Sequence, residues 1–356
     1  MAVTIKFFKA GCGDAVFIGG ESNKILIDAG FINTYFSTLL PELRSLVDHE
    51  QLIDLCIITH TDRDHINGIF PAIDQFGTKW VREFWFNYSP IDPLYYSPDG
   101  DVNVGVKQGK TLRNFLNASG TLNKNNIIAG QTVTIGSAQL MILSPEEDQY
   151  SKWLAYWKEQ EHKIELAEAA GERVAAKKSD HKKLISELSK VDFKEDGSFS
   201  NRSSIAILYQ IGNFSALLTG DAHSSVLCHS IRSLGYSETN PLRVDILKLS
   251  HHGSAGSTSD ELLKLVSCRN YVISSSGQCD YLPNKQTLAR ILSSSNYSDQ
   301  YPIRFLFNYD NEVMRNIFSE EDRSTFNFEC YYASNDQNAL IFNIDESTRP
   351  ATIIFS

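Results

Sequence analysis

Ile57-Ile58-Thr59-His60-Thr61-Asp62-Arg63-Asp64-His65-Ile66-Asn67-Gly68 sets four metal-ligating side chains within six residues, directly behind the apolar run Leu55-Cys56-Ile57-Ile58. A short run of β-branched and apolar residues predicts a buried strand. The ligand-type residues then fall on the loop at its C-terminal end, where a rigid element holds them. Beyond them Ile66, Ile69, Phe70 and Ile73 recur at helical spacing. Imidazole and carboxylate are donors that suit zinc, manganese or iron. On an extended segment His60, Asp62 and Asp64 point one way and His65 turns aside, which serves two ions on the order of 3.5–4 Å apart. The plainer reading makes Asp62 or Asp64 a helix cap. Four such residues behind one buried strand favour the metal.

The pattern His-x-Asp-x-Asp-His-x-x-Gly resembles the signature loop of the metallo-β-lactamase superfamily, in the variant whose second His is Asp. It is similar to the loop of the ComEC competence hydrolase domain and of the phosphorylcholine esterases. The resemblance extends over roughly 1–145 and 200–295. It implies an α/β fold of αββα sandwich type, with two mixed sheets. Gly13-Asp14 and Ile27-Asp28-Ala29-Gly30 are similar to the opening strands that frame the loop. Asp14 stands evenly between turn former and site residue; Asp28 is expected as a brace rather than a ligand. Thr219-Gly220-Asp221-Ala222 matches the family's bridging carboxylate at Asp221, against the alternative of a cap for a helix starting at Ser224. Ser250-His251-His252-Gly253-Ser254 resembles the family's His-His-Gly-Ser element. By strand alternation one of the two histidines faces the metals, and His251 is assigned as that ligand.

The relatives carry a last His after the strand Tyr271-Val272-Ile273-Ser274. Here the aligned stretch reads Tyr281-Leu282-Pro283-Asn284-Lys285, without one. Asn284 is a weak substitute, so the second ion is expected to be poorly held. The resemblance implies one ion on His60, Asp62, His251 and a share of Asp221, and another on Asp64, His65 and the rest of Asp221. His252, Ser254 and Asn284 are left to support the ligands or touch substrate. His49, His162, His181, His223 and His229 are set aside as bystanders.

Composition bounds the reading. The 356 residues carry a net charge of −10, with 42% hydrophobic and 21% charged residues, ordinary for a globular chain. No run of 18 or more apolar residues predicts a membrane span. The start, with Val3, Ile5 and Phe7 alternating, predicts a first strand rather than a signal peptide. Six cysteines without a CxxC pair read as reduced thiols of a cytoplasmic protein. The acidic balance argues against nonspecific grip on duplex DNA.

Elsewhere the spacing predicts helices at 35–49 and 107–118, and strands at 81–88, 131–143, 205–209, 214–218 and 244–249. A loop at 89–106 carries Tyr95 and Tyr96, which either stack on a base or pack on their own domain. Residues 145–200, rich in Lys, Glu and Ala, predict an inserted helical hairpin projecting from the core. Trp153, Leu154 and Trp157 form its stripe, Ile164, Leu166 and Ala169 extend it weakly, and Gly171 parts the helices. Its Lys177, Lys178, Lys182 and Lys183 form either a solvated face or a contact for a protein partner; an oligomer contact is open too. The last runs, 304–307, 325–332, 339–342 and 351–355, are expected to close a sheet. The whole of 1–356 is thus read as one hydrolase domain, with the insertion and added strands at about 300–356.

The implied chemistry is hydrolysis by a metal-activated water, its pKa lowered from 15.7 toward ~7, with Asp64 orienting that water and Asp221 between the ions. Zinc is the first expectation and manganese the second. Asp at position 62 in place of His is what the phosphodiester-cleaving relatives show, so the resemblance implies a phosphodiesterase or nuclease, and the acidic balance favours a single strand, a nucleotide or a small phosphodiester as its substrate. Carboxylic-ester or lactone hydrolysis, and a decayed metal-binding partner protein, are the alternatives.

Overall fold

Two sheets face one another in the computed structural model, which describes residues 2–89, 104–164, 179–294, 301–345, 347–348 and 352–356. Edge to edge, the first sheet runs β17 (Thr352–Phe355), β16 (Ala339–Asp345), β1 (Ala2–Phe8), β2 (Val16–Gly19), β3 (Lys24–Ile27), β4 (Ile53–Ile58) and β5 (Val81–Phe86). The second runs β15 (Phe328–Tyr332), β14 (Ile303–Phe307), β13 (Asn270–Ile273), β11 (Ile246–Lys248), β9 (Phe214–Leu218), β8 (Ala206–Ile211), β7 (Ala138–Ser144) and β6 (Thr132–Ile135). A short parallel pair, β10 (Leu242–Arg243) with β12 (Val266–Ser267), stands apart.

Alternation along the strands builds the layers. Ile5, Ile18, Ile25, Leu55 and Ile57 of the first sheet meet Leu140, Ile207, Tyr209, Leu218, Ile246 and Val272 of the second in one buried cluster. The opposite faces are covered by helices: Cys56, Ile58 and Phe86 pack with Ile69, Ile73 and Leu112, and Leu208, Leu217 and Leu247 with Leu227, Leu262 and Leu288. The result is helix, sheet, sheet, helix, the expected αββα sandwich, with β4 buried on both faces as a parallel strand demands.

Strand direction places the site. β3, β4 and β5 are parallel, as are β9, β11, β13, β14 and β15. Loops after parallel strands emerge at their carboxyl ends, where open α/β sheets collect ligands. The two edges are tied there, the Ile205 N–H donating to the Thr59 carbonyl at 2.9 Å.

Several expectations change. The final strands do not close one sheet: β14 and β15 extend the second, while β16 and β17 extend the first, with β16 antiparallel to β1. Cys12 and Cys279 form a disulfide. Pairing across 267 positions leaves no trace in cysteine spacing, and it removes the thiol argument for a reducing compartment. Cys56, Cys228, Cys268 and Cys330 are free.

The described part of the insertion does not project. Helix Glu147–Ile164 buries Trp153 and Trp157, 2% and 0% exposed, in the helical layer over the first sheet, because large rings at helical spacing need a partner surface. Ile185 and Leu188 of the short helix Ile185–Leu188 are buried in the layer over the second sheet, while Phe199 of the short helix Phe199–Arg202 stacks on Tyr156 of the longer helix, ring centroids 5.0 Å apart. Tyr95, Tyr96, Leu166, Ala169, Gly171, Lys177 and Lys178 lie outside the described residues; Lys182 and Lys183 are exposed. Among the described residues no helix is long and apolar enough to cross a membrane.

Candidate metal centre

Three loops bring the site together: 59–65 after β4, 219–221 after β9 and 249–253 after β11. The first is not extended throughout. Arg63–Ile66 is a helical turn whose first flanking residue, Asp62, makes no side-chain cap bond, so the capping alternative fails there. The turn pairs Asp64 with His65 and leaves Asp62 beside His60, while the His60 and His65 rings stay in contact, their centroids 4.1 Å apart. Gly13 allows this corner to close: a Cβ there would lie 1.9 Å from the Asp64 carbonyl oxygen.

Asp221 stands at the centre. Its Oδ2 lies 3.4 Å from His65 Nε2, 3.7 Å from His252 Nε2, 3.8 Å from His60 Nε2 and 4.0 Å from His251 Nε2. It caps no helix; His223 occupies the cap position before Ser224. Asp64 Oδ2 is 3.4 Å from His252 Nε2 and 3.8 Å from His65 Nε2. Asp62 Oδ2 is 3.6 Å from His60 Nε2. Ligand atoms about 2.0–2.1 Å from a tetrahedral ion sit about 3.4 Å apart, so these separations are those of donors around cations rather than donors bonded to each other.

Each imidazole is turned the same way. His65 Nδ1 is 2.8 Å from Asp28 Oδ2, His252 Nδ1 is 3.1 Å from the Ser274 carbonyl, and His251 Nδ1 is 3.2 Å from Asp196 Oδ2. His60 Nδ1 lies 3.0 Å from the Thr59 hydroxyl, which itself donates to Asp28 Oδ2. Acceptors at Nδ1 put the proton there and leave the Nε2 lone pair facing the centre. The buried Nε2 atoms of His60, His65 and His252, with Asp221 Oδ1, have no hydrogen-bond partner. The three imidazole nitrogens, which converge on Asp221 Oδ2 at 3.4–3.8 Å, fit a divalent cation.

The adjacent histidines depart from the expected alternation. His251 and His252 both take left-handed backbone, φ 48° and 56°, so the chain turns instead of extending and both rings reach Asp221. His252, expected only to support ligands, therefore stands with Asp64, His65 and Asp221 where the missing last His was sought. Asn284 does not face the centre; its Oδ1 accepts the Ala255 N–H at 2.9 Å. Ser254 closes the turn through its N–H to the His251 carbonyl at 2.9 Å.

Charge explains the rest. Burial opposes ionising Asp221, but His65, His252 and His251 hold its carboxyl well below the usual range. Burial would lower His252, yet Asp221 and Asp14 outweigh it and raise it to about 9. Against the same burial, Asp221, Asp28 and Asp64 push His65 well up. The cluster gathers positive charge. Beneath it the fully buried Lys248 ammonium pairs with Asp14 Oδ2, meets the Gly220 carbonyl at 3.0 Å and lies 3.9 Å from Asp221 Oδ1. Asp14 also belongs to a tight group with His65, Asp221 and His252. Because Lys248 already holds it, Asp64 is the freer fourth donor.

Sequence reading passed over Lys248, although a lysine inside Ile246-Leu247-Lys248-Leu249 is a charge in a buried strand. It also set aside His223, which is buried with Nε2 unpartnered, and His181, whose Nε2 is 2.9 Å from the Pro283 carbonyl. Asp196 and Ser200, inside the insertion, carry no motif signal in the sequence, yet they touch His251 and Asp62.

A two-sheet αββα sandwich with a His/Asp cluster at its strand ends is the arrangement the sequence resemblance implied. The chain is similar to the metallo-β-lactamase fold protein YhfI from Bacillus subtilis, at 11% identity over 96% of this chain and 99% of that one, TM-score 0.44. It is also similar to Igni18, a metallo hydrolase from Ignicoccus hospitalis (10% identity, 96% and 99% covered, TM-score 0.39). A third likeness is to a diphosphatase from the PhnP family (12% identity, 81% and 90% covered, TM-score 0.39). No protein-family model matches the chain, and no curated protein matches it.

Proposed function

We propose that this chain is a metal-dependent hydrolase acting on phosphodiesters. The carrying observation is the convergence of four imidazole Nε2 atoms within 3.4–4.0 Å of one Asp221 oxygen, every ring fixed through Nδ1. His65, His252, Asp64 and Asp221 would hold one divalent ion, and His60, Asp62, His251 and Asp221 the other, with zinc favoured by the nitrogen-rich set and manganese second. Such ions, when bound, supply an acidified water and positive charge against the developing oxyanion.

The protein's own groups do the rest. Asp28 and Thr59 orient His60 and His65 so that no ring must reorganise during turnover. Asp64, with its side chain 26% exposed, would orient the attacking water. Lys248 balances Asp14 and Asp221 where solvent cannot. The acidic surface (net charge −10) repels long polyanions, which favours a single strand, a nucleotide or a small phosphodiester over duplex. The presence of His252 weakens the decayed-site alternative, which rested on a missing imidazole.

Purified protein should carry divalent metal and hydrolyse bis(p-nitrophenyl) phosphate, losing that turnover on chelation and regaining it with zinc or manganese. Metal without turnover of this ester, joined to cleavage of p-nitrophenyl acetate or a lactone, would move the assignment to carboxylic esters.

A further inference from the structure

The donors of the centre are held by two different parts of the chain. His65 is anchored by Asp28 and His252 by the Ser274 carbonyl, both on strand ends of the sandwich. His60 is likewise held from the sheet, through Thr59, but the two other outer donors, His251 and Asp62, are anchored by the insertion instead. Asp196 Oδ2 takes His251 Nδ1 at 3.2 Å, and Asn201 Nδ2 steadies that carboxylate at 2.6 Å. The Ser200 hydroxyl donates to Asp62 Oδ1 at 2.6 Å. The strap that bears them is itself seated: the Asp196 N–H donates to the Gly256 carbonyl at 3.0 Å, and Asp180 accepts the N–H groups of Lys285 and Gln286.

We propose that residues 179–202 act as a strap whose Asp196 and Ser200 are positioning residues for one ion position only, that of His60, Asp62 and His251, making it the weaker and separately removable one. The inference rests on the metal-centre reading. Without Ser200, Asp62 is a side chain 43% exposed and free to rotate away. Without the Asp196 carboxylate, His251 loses the acceptor that fixes its tautomer. The inner position, built on sheet ends, keeps all its anchors.

The test is titration of metal-stripped protein with Zn2+ by calorimetry, and with Co2+ by visible absorption, in wild type, D196N, S200A and S200T. Wild type should bind two ions in two steps. D196N and S200A should keep the tight step, with its cobalt spectrum, and weaken the second by ~10–100-fold, the usual effect of losing a ligand's supporting partner. S200T, which retains the hydroxyl, should restore both. Equal binding of two ions in all four proteins, or loss of both ions together in D196N or S200A, overturns the inference while leaving the centre intact. A wild-type chain that takes no ion overturns the metal reading itself.

Discussion

Asp28 accepts the Thr59 N–H at Oδ1, and the Thr59 hydroxyl and His65 Nδ1–H at Oδ2. One buried carboxylate thus sets two of the four rings, since Thr59 in turn meets His60. Asp28→Asn should therefore leave the fold in place and weaken ion binding by ~10–100-fold, read by calorimetry; unchanged affinity would remove Asp28 from the site's support. Lys248 makes a stability prediction. Lys248→Met leaves the Asp14 carboxylate buried without its partner and should cost about 3–5 kcal/mol in denaturant unfolding, much of it recovered by adding Asp14→Leu. A loss well under 1 kcal/mol would show that Asp14 is satisfied some other way. Ion-free protein should also have a signed pH response. His65 and His252 are raised above 6.5, His252 to about 9, so their contribution is full below 6.5 and fades as pH climbs through about 9. Asp221, held below 3.8, contributes above that value and fades as pH falls. Melting temperature of the stripped protein should peak between about 4 and 6.5 and fall toward pH 9, while ion affinity rises over that range because the imidazoles must shed protons to bind. A flat profile from pH 6 to 9 contradicts this.

At the scale of elements, the insertion helix is part of the core. Trp157 packs on Phe86 with ring centroids 6.3 Å apart, and Gly109 beneath it has no room for a Cβ, which would sit 2.2 Å from the indole. Trp157→Ala should cost about 3–5 kcal/mol in chemical denaturation; a surface-like change below 1 kcal/mol would return the helix to a projecting arm. The Trp stripe was legible as helical spacing, but periodicity names a buried face without naming its partner. The ligand loop was legible for a stronger reason, since His60 to His65 follow an unmistakable buried strand. That both His251 and His252 turn toward Asp221, rather than one alone, was hidden because alternation assumes extended backbone, and positive φ at two successive non-glycine residues has no sequence signal. Strand order in the last fifty residues was hidden likewise: alternation tells a strand from a helix, not which of two sheets receives it.

The molecule as a whole brings the carboxyl ends of strands from two sheets side by side, so that residues 60, 221 and 251 share a few ångströms although the chain between them builds β5 of the first sheet and most of the second. The Cys12–Cys279 disulfide joins the Asp14 loop of the first sheet to the loop after β13 of the second, bracing the same mouth. The αββα architecture was foreshadowed by the order of motifs, and the acidic balance by composition; the strap at the site was not, because Asp196 and Ser200 reach His251 and Asp62 through tertiary contacts that local sequence does not encode. The central claim is that Asp221 joins two cation positions. Crystals grown with zinc and measured at its absorption edge test it most directly. The account predicts two anomalous peaks, both against Asp221, one among Asp64, His65 and His252 and one among His60, Asp62 and His251. Strong zinc peaks elsewhere with none at Asp221 would contradict it.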